Sequence, residues 1–209
     1  MGFYPVFLDL TGRRCVVIGG GPIAEGKVTG LLAAGADVTV ISPTVTTGLA
    51  EAARARRISH RQRVYRDGDL AGAGLAFAAT GDVAVNAAVA GEGARCGVLV
   101  NAADDPAHCD FILPSVLRRG ALAIAVSTGG ASPALARVVR DELERHVGED
   151  YAALASVAGE VRGALRVEHR PASGAAWRAA LADRNFRRLI ASGRRAAARR
   201  RLRSQLVSV

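Results

Sequence analysis

The chain has 209 residues, half of them hydrophobic and 22% charged, which allows one or two domains with a sizeable core and excludes a disordered chain. No apolar run reaches the roughly 18 residues of a membrane helix. The chain does not open on a basic segment followed by an apolar stretch, so we expect a cytoplasmic protein without membrane contact. Three scattered cysteines argue against a disulfide framework.

The net charge of +9 comes from the C-terminal part of the chain. Residues 151–209 carry 13 arginines against 3 acidic residues, whereas residues 1–150 carry 15 basic against 16 acidic residues. A basic tail suits a polyanion such as nucleic acid or a substrate with many carboxylates. The alternative is a solvated helix face, because arginine replaces lysine at all basic positions but one. A nucleic-acid partner is therefore not favoured.

The first predicted elements are a strand at Cys15–Ile18 and a helix at Ile23–Ala34, joined by a glycine turn. Within this segment, Gly19, Gly21 and Ala24 fit the G-x-G-x-x-G/A dinucleotide fingerprint. The first glycine permits the sharp turn, the second lets the backbone approach a pyrophosphate, and the alanine keeps the helix close to the sheet. The phosphates would bind free N–H groups at the positive end of the helix. The alternative is an α/β turn that binds nothing.

Strands and helices continue to alternate along the next part of the chain. Strands are predicted at Asp37–Ile41, Ile58–Tyr65, Leu75–Ala79 and Val98–Asn101, and helices at Leu49–Arg57 and Val83–Ala94. This order predicts a parallel sheet with right-handed crossovers, to which residues 3–12 could add an edge strand. Ligands of such sheets bind beyond the carboxyl ends of the strands, here at Ser42–Thr44, Thr80–Gly81 and Asn101–Asp105.

The pattern then changes to a hairpin and helices. The apolar runs Phe111–Leu117 and Ala121–Ser127 predict a hairpin joined by Arg118–Gly120. A second glycine-rich loop, Thr128–Pro133, leads into a helix with Ser132 as N-cap and the proline as first helical residue. This loop is either a second anion site or a capped turn. The apolar face of the helix comprises Leu135, Val138, Val139 and Leu143. Further helices are predicted at Tyr151–Val167, Ser173–Ala182 and Arg184–Leu206, with fraying at Arg194–Arg203.

An acidic loop follows the last predicted strand of the sheet. Asp104 and Asp105 stand side by side where a nicotinamide would lie, and two neighbouring acids can raise the pKa of one of them. A carboxylate there could take a proton as a hydride leaves the substrate. The alternative is a plain turn, because Asp-Pro is a common turn dipeptide.

The acid that usually binds the ribose, about 20 residues after the glycines, is missing. Ser42–Thr44 occupies that place, and we expect no arginine near it to hold a 2′-phosphate, which favours NAD over NADP. The run His108–Asp110 lacks the paired spacing of a structural zinc site, so no fixed metal is expected.

Taken together, these motifs resemble the precorrin-2 dehydrogenase and sirohydrochlorin ferrochelatase family, the N-terminal portion of sirohaem synthases. The segments that carry the resemblance are Tyr4–Leu10, Val17–Ala24 with Lys27, Ala78–Thr80, Val100–Asp104, Phe111–Ser115, and Ala125–Pro133 with Leu135–Arg137. They cover residues 3–145 in order and without large gaps. The helical remainder resembles the family only loosely, and its arginine-rich end departs from it.

The resemblance implies an α/β fold with three parts. These are a Rossmann-like parallel-sheet domain at residues 1–112, a small α/β dimerisation segment at 113–150 and a C-terminal helical segment at 151–209. It implies NAD-dependent oxidation of precorrin-2 to sirohydrochlorin by a homodimer. Some members also insert Fe²⁺ to give sirohaem, so Fe²⁺ is a further substrate that the resemblance allows.

The motifs and the resemblance together assign the site residues. Asp104 is expected to be the catalytic aspartate. The expected cofactor contacts are Gly19, Gly21, Pro22, Ile23, Ala24, Pro43, Thr44 and Thr80. The residues expected to hold the tetrapyrrole substrate are Asn101, Gly129, Gly130, Ser132 and Arg137.

Two other functions stay open. A different NAD(P)-dependent reductase would need a Tyr-x-x-x-Lys pair or a catalytic histidine after the sheet, and neither Tyr65 nor Tyr151 has such a lysine. An NAD-sensing binding module that uses the arginine-rich tail on a polyanion would need a helix-turn-helix, and the tail has no clear turn between two short helices.

Overall fold

The computed structural model describes residues 2–103 and 105–207, and these form two compact units. The first unit ends at Ile112 and the second begins at Leu113. In the described part of the chain, none of the helices combines the length and the apolar character that crossing a membrane requires. The three-part division predicted from the sequence, with its further boundary near residue 150, stays a prediction.

Five parallel strands form the sheet of the first unit, in the order β3-β2-β1-β4-β5. The strands are β1 (Arg14–Ile18), β2 (Asp37–Ile41), β3 (Ser59–Arg61), β4 (Leu75–Ala78) and β5 (Leu99–Ala102). The helices are α1 (Pro22–Ala33), α2 (Thr47–Arg54) and α3 (Val83–Cys96), and a 3₁₀ turn at Pro106–His108 follows β5. The Rossmann-like α/β fold predicted from the sequence is confirmed.

The central strand is apolar on both faces because helices cover both faces of the sheet. Val17 of β1 packs in the layer that contains Val28 of α1, whereas Val16 and Ile18 pack in the layer that contains Val89 of α3. Each fully buried side chain of this size contributes about 1.5–3 kcal/mol to folding. The carboxyl end of β1 is therefore held between two packed layers, which gives the glycine turn a rigid base.

Residues 3–12 do not add a strand to this sheet, so that expectation is wrong. The segment leads directly into β1, whose two edges are already paired with β2 and β4. Its end is instead fixed by turn contacts, in which Gly12 N donates to Gly35 O at 2.8 Å and Arg13 N donates to Leu10 O at 2.9 Å.

The strand β3 has three residues, which is shorter than the predicted Ile58–Tyr65. Beyond Arg61 the chain turns towards a buried carboxylate, Asp69, which accepts from Arg63 Nη1 at 2.7 Å and from Arg66 N at 2.8 Å. These charged contacts replace further ladder bonds. A pattern of alternating residues could not reveal this, because Asp69 lies outside the predicted strand.

The second unit begins with an antiparallel hairpin, β6 (Ser115–Arg119) and β7 (Leu122–Val126). The two predicted turn arginines belong to β6, and the connection is Gly120–Ala121, where Gly120 has φ +57°. Two-residue hairpin loops favour such a left-handed glycine. Arg119 then reaches the following helix, because its Nη2 donates to Glu144 Oε1 at 3.0 Å.

Five helices complete the second unit as far as residue 207. They are α4 (Pro133–His146), α5 (Asp150–Val167), α6 (Gly174–Ala182), α7 (Arg184–Ala191) and α8 (Arg195–Val207). The side chains that form the core of α5 to α8 are Val157, Val161, Leu165, Ala180, Phe186, Ile190, Ala198, Leu202 and Leu206.

The single helix predicted at Arg184–Leu206 is two helices. Gly193, with φ +71°, follows α7, and its N–H donates to Ile190 O at 3.0 Å, which closes the helix end. The predicted fraying of Arg194–Arg203 is also wrong, since Leu202 of α8 is fully buried. The apolar residues Ala198, Leu202 and Leu206 lie among arginines in the sequence and pack α8 into this core.

Candidate active site

The glycine turn after β1 is crowded at two of its three glycines. A β-carbon on Gly19, which has φ +121°, would lie 2.2 Å from the carbonyl oxygen of Ala79. A β-carbon on Gly20 would lie 2.0 Å from the carbonyl oxygen of Thr44. The turn therefore brings the loops after β2 and β4 against the end of β1, at a separation that only glycine permits.

The third glycine faces open space. Apart from the adjoining backbone and the two neighbouring residues, no atom lies within 4 Å of the position that a β-carbon on Gly21 would take. Gly21 is the N-cap of α1, no side chain caps this helix end, and Pro22 is its first residue. Ala24, one turn into the helix, is fully buried. The predicted fingerprint thus has the geometry that a pyrophosphate needs: an accessible backbone, uncapped amides and a helix packed close to the sheet.

The loop after β2 is held to the same turn. Ser42 Oγ donates to Thr44 O at 2.6 Å, and Thr46 N donates to Gly20 O at 2.9 Å. Parallel pairing of β2 with β3 brings the backbone of Arg61 beside this loop, and the expectation that no arginine near it holds a 2′-phosphate stays a prediction. Arg61 O accepts from Ser42 N at 3.2 Å, and the Arg61 guanidinium contacts Asp69 at 3.4 Å.

The loop after β4 is fixed by a residue of α3. Thr80 Oγ1 donates to Asn86 Oδ1 at 2.9 Å, and Asn86 Nδ2 donates back to Thr80 O at 3.1 Å. Asp82 caps α3 by accepting from Ala84 N at 2.9 Å. The side chain of Asn86 is buried. Thr80 therefore has a fixed position at the carboxyl edge of the sheet.

These three loops enclose one cleft of about 500 Å³. Six of the eight predicted cofactor residues line it: Gly19, Gly21, Pro22, Ile23, Pro43 and Thr80. Ala24 lies beneath the cleft in the core, and Thr44 contributes the carbonyl oxygen that packs against the glycine turn. The cleft also contains side chains to which the sequence analysis gave no role, namely Val64, Tyr65, Asp82 and Val85. The sequence analysis did not identify these four residues because they lie outside the dinucleotide fingerprint.

The loop after β5 reaches the cleft through Ala103. The predicted catalytic residue, Asp104, follows Ala103 and lies outside the described residues, so its role stays a prediction. Asn101 is buried, and its Nδ2 donates to Phe111 O at 2.9 Å. Its amide therefore ties the end of β5 to the last residues of the unit, and its predicted contact with substrate remains untested.

A thiol also fastens this loop. Cys109 Sγ accepts from Ala102 N at 3.2 Å and lies 3.1 Å from Ala102 O. On the far side of the 3₁₀ turn, Asp110 Oδ2 accepts from Val100 N at 2.8 Å. Among the described residues no group of three or more His, Cys, Asp or Glu side chains is placed to hold a metal ion.

The second glycine-rich loop, in the second unit, is a compact turn before α4. Thr128 Oγ1 accepts from Ser132 N at 2.9 Å and donates to Ser132 O at 3.0 Å. The predicted N-cap is confirmed, because Ser132 Oγ accepts from Leu135 N at 3.2 Å. Gly129 and Gly130 both have positive φ, and Arg137 is exposed in the second turn of α4. The four substrate residues predicted in this unit therefore gather at one helix N-terminus.

Two family models match this chain, and each match includes one of the two glycine motifs. The model of an NAD(P)-binding family matches residues 6–115, which is about half of the chain. The model of the central part of sirohaem biosynthesis proteins matches residues 119–146.

Several curated relatives are named sirohaem synthase. That of Nitrosospira multiformis is 44% identical over 174 residues, which cover 81% of this chain and 36% of the relative. That of Methylobacillus flagellatus is 43% identical over 162 residues, which cover 78% of this chain and 35% of the relative. The chain thus spans about a third of the length of these relatives.

A solved structure, named SirC, precorrin-2 dehydrogenase, superposes on this chain with a TM-score of 0.75. It is 28% identical in sequence, and the superposition covers 99% of this chain and all of that one.

Proposed function

Because this chain belongs to the precorrin-2 dehydrogenase family, the N-terminal portion of sirohaem synthases, we propose that it oxidises precorrin-2 to sirohydrochlorin with NAD. The observation that carries the proposal is the cleft around Gly21, where an open backbone and an uncapped helix end meet the carboxyl edge of a parallel sheet. Those features fit a dinucleotide pyrophosphate.

We assign each part of the cleft a role in binding the cofactor. The amides that open α1 bind the pyrophosphate. The backbone of Pro43 and the hydroxyl group of Thr44 bind a ribose. Thr80, fixed by Asn86, lies on the other side of β1 and orients the second half of the dinucleotide. The bound nicotinamide supplies the acceptor for the hydride.

Asp104 is the proposed general base. Oxidation of the macrocycle removes a hydride and a proton, and the carboxylate of Asp104 takes the proton and passes it to water. The support is its place in the chain, directly after the cleft residue Ala103 at the carboxyl end of β5. The expected effect of Asp104→Asn is a loss of about 100-fold in kcat with an unchanged KM for NAD⁺.

The experiment follows NADH formation during anaerobic incubation of the protein with precorrin-2 and NAD⁺. Asp67→Asn, which changes an exposed aspartate of the same unit, is the matched control and should keep wild-type activity. Wild-type protein that forms no NADH would overturn the proposed reaction. Asp104→Asn protein with wild-type kcat would overturn only the role of Asp104.

The substrate carries many carboxylates, and we propose that Gly129, Gly130, Ser132 and Arg137 hold one of them. The turn before α4 presents backbone N–H groups at a helix N-terminus, and Arg137 adds a cation in the second turn. Arg137→Ala should raise the KM for precorrin-2 about 10-fold and leave the KM for NAD⁺ unchanged.

Insertion of Fe²⁺ is proposed as a second reaction of the same site. Chelation requires that two pyrrole N–H groups lose their protons, and Asp104 is the group proposed to accept these one after the other and to pass each to water. The same anaerobic incubation, repeated with sirohydrochlorin and Fe²⁺ but without NAD⁺, separates chelation from dehydrogenation. An unchanged absorbance spectrum in that experiment would limit the chain to dehydrogenation.

We also propose that the chain acts as a homodimer that associates through α4. Leu135 and Val138 lie one turn apart on this helix, and each is 52% exposed. Exposed aliphatic side chains at this spacing are typical of helix surfaces that pack against a partner.

A further inference from the structure

One wall of the cleft comes from the segment between β3 and β4, which the dinucleotide fingerprint does not include. Val64 and Tyr65 form this wall, and they line the cleft together with Ser42 and Pro43, which follow β2. Val64 is largely exposed although it is aliphatic. An apolar, partly aromatic surface at this point of a binding cleft requires an explanation.

The wall is held by a buried carboxylate. Glu92 of α3 is 1% exposed, and Tyr65 Oη donates to its Oε2 at 2.5 Å. Burial and the adjacent carboxylate both raise the pKa of the Tyr65 phenol, so the hydroxyl remains a donor at any physiological pH. The aromatic ring is thereby tied to a helix of the rigid core.

The two oxygens of Glu92 have separate tasks. Oε1 accepts from Gly68 N at 3.1 Å and from Leu70 N at 2.9 Å, which fastens the segment backbone. Oε2 accepts from the hydroxyl of Tyr65. Because burying a carboxylate is costly unless it is hydrogen-bonded, this arrangement specifies the position of the ring as well as that of the backbone.

The topology decides which half of a dinucleotide would face this ring. In sheets of this kind the residues after β2 bind the ribose of the adenosine half. β3 pairs with β2 on the side away from β1, so the segment with Val64 and Tyr65 leaves the sheet beside the residues that follow β2, and Ser42, Pro43, Val64 and Tyr65 all line the cleft. A planar base packs favourably on an aromatic or apolar side chain.

We propose that Tyr65 is the side chain against which the adenine ring of the cofactor packs, and that Glu92 is the positioning residue that holds it there. This inference rests on the proposed cofactor site. It adds to the fingerprint a specificity element for the adenine base, supplied by α3 and by the crossover between β3 and β4.

The test measures the binding of ADP-ribose, which has the adenosine half of the cofactor without nicotinamide, by titration calorimetry. Tyr65→Ala should weaken ADP-ribose and NAD⁺ alike by about 10-fold, because stacking on one aromatic ring is lost. Tyr65→Phe and Glu92→Gln should each weaken both ligands about 3-fold. Adding Glu92→Gln to Tyr65→Ala should weaken both ligands little further, because the ring that Glu92 positions is then already absent.

Two matched controls accompany these variants. Tyr4→Phe makes the same change at a tyrosine that is 86% exposed, and Glu51→Gln makes it at an exposed glutamate of α2. Both should bind ADP-ribose as the wild type does. In turnover, the Tyr65 variants should raise the KM for NAD⁺ and leave kcat unchanged, because the contact is equal in ground and transition states.

The outcomes separate this inference from the proposed function. Folded Tyr65→Ala protein that binds ADP-ribose within 2-fold of wild type would overturn the role of Tyr65. If Tyr65→Phe lowers the melting temperature but leaves both affinities unchanged, the hydrogen bond only fastens the segment, and the proposal is wrong. Wild-type protein that binds neither NAD⁺ nor ADP-ribose would overturn the proposed cofactor site itself.

Discussion

At the scale of single residues, the three consecutive glycines at 19–21 differ in what they meet. Gly19 and Gly20 have backbone oxygens where a side chain would begin, whereas Gly21 has free space. The first two are therefore needed for folding, and the third is the one that we propose for binding. The fingerprint alone assigns roles to Gly19 and Gly21 but none to Gly20. A β-carbon on Gly20 would nevertheless make the closest contact of the three, with the carbonyl oxygen of Thr44.

This difference predicts opposite phenotypes for two neighbouring substitutions. Gly20→Ala should lower the free energy of unfolding by about 1–3 kcal/mol and also weaken NAD⁺, because the loop after β2 must move. Gly21→Ala should change that free energy by no more than about 1 kcal/mol, because the poorer N-cap is offset by the smaller backbone entropy of alanine in the unfolded chain. It should still weaken NAD⁺ at least 10-fold, because its methyl group enters the pyrophosphate site.

Urea unfolding and NAD⁺ titration of the same samples measure both effects. Gly26→Ala, at an exposed position of α1 with free space around it, is the control and should keep full affinity with equal or greater stability. Equal loss of stability in the Gly20 and Gly21 variants would contradict the assignment.

The three cysteines should differ in reactivity for physical reasons visible at each thiol. Burial raises the pKa of Cys15 and of Cys109, and the charge of Asp37 adds to the effect at Cys15. Cys96, at the end of α3, is exposed. A brief treatment with iodoacetamide should therefore modify Cys96 first, with the other two at least about 10-fold slower.

Peptide mass spectrometry after timed alkylation measures these rates, and Cys96→Ser removes the fast site. Equal rates at Cys96 and Cys109 would mean that the loop after β5 opens readily, contrary to the contacts of the Cys109 thiol with Ala102.

At the scale of elements, a single carboxylate joins two helices of the C-terminal segment. Asp183 caps α7 by accepting from Asn185 N at 3.0 Å, and it accepts from Gln205 Nε2 of α8 at 2.8 Å. The Arg201 guanidinium also donates to it. The hydrogen bond from Arg201 is the main reason that the pKa of Asp183 falls to about 2.

The depressed pKa predicts how stability depends on pH. The ionised Asp183 stabilises the fold fully above its unfolded pKa of about 3.9, and this contribution is lost as the pH falls towards 2. The Asp183→Asn protein should therefore be less stable than the wild type at pH 6, with a difference that shrinks between about pH 4 and pH 2.

Thermal unfolding over that pH range measures the difference. Glu142→Gln, at an exposed position of α4, should follow the wild-type curve throughout. A constant difference between wild type and Asp183→Asn down to pH 2 would show that the carboxylate charge is not the source of the stabilisation.

At the scale of the whole molecule, the arginine excess is less available to polyanions than the net charge suggests. Within the described residues, Arg195 contacts Glu160, Arg203 contacts Glu168 and Arg201 contacts Asp183. Every acidic residue of the C-terminal segment is thus engaged by an arginine of α8. The tail is a folded helix layer in which some of the positive charge has an internal role.

The proposed association of two copies should depend on the exposed aliphatic residues of α4. Val138→Glu should raise the dissociation constant of the proposed dimer at least 10-fold, because it places a charge in an apolar interface. The same change at Val167, which is 81% exposed at the end of α5, is the matched control.

Sedimentation velocity over a range of protein concentrations measures the assembly state. Val138→Glu protein that sediments like the wild type would move the proposed interface away from α4. Loss of the dimer in both variants would indicate a general effect of added charge.

The sequence by itself determined those features that local chemistry controls. The apolar runs, the glycine turn and the capped N-terminus of α4 follow from side-chain size, φ preference and hydrogen bonding within a few residues. They were enough to predict the parallel sheet and the dinucleotide cleft. The break at Gly193 was missed because helix propensity in an arginine- and alanine-rich stretch hides a single glycine.

The tertiary structure alone decided which distant residues meet. The short β3, the position of Arg61 beside Ser42, the burial of Glu92 and its bond to Tyr65 depend on contacts between elements up to 27 residues apart. No local pattern marks a glutamate in a helix as buried, because its surroundings are set by the crossover that packs over it. The cleft was therefore predictable from sequence, whereas the wall that we propose for its adenine half was not.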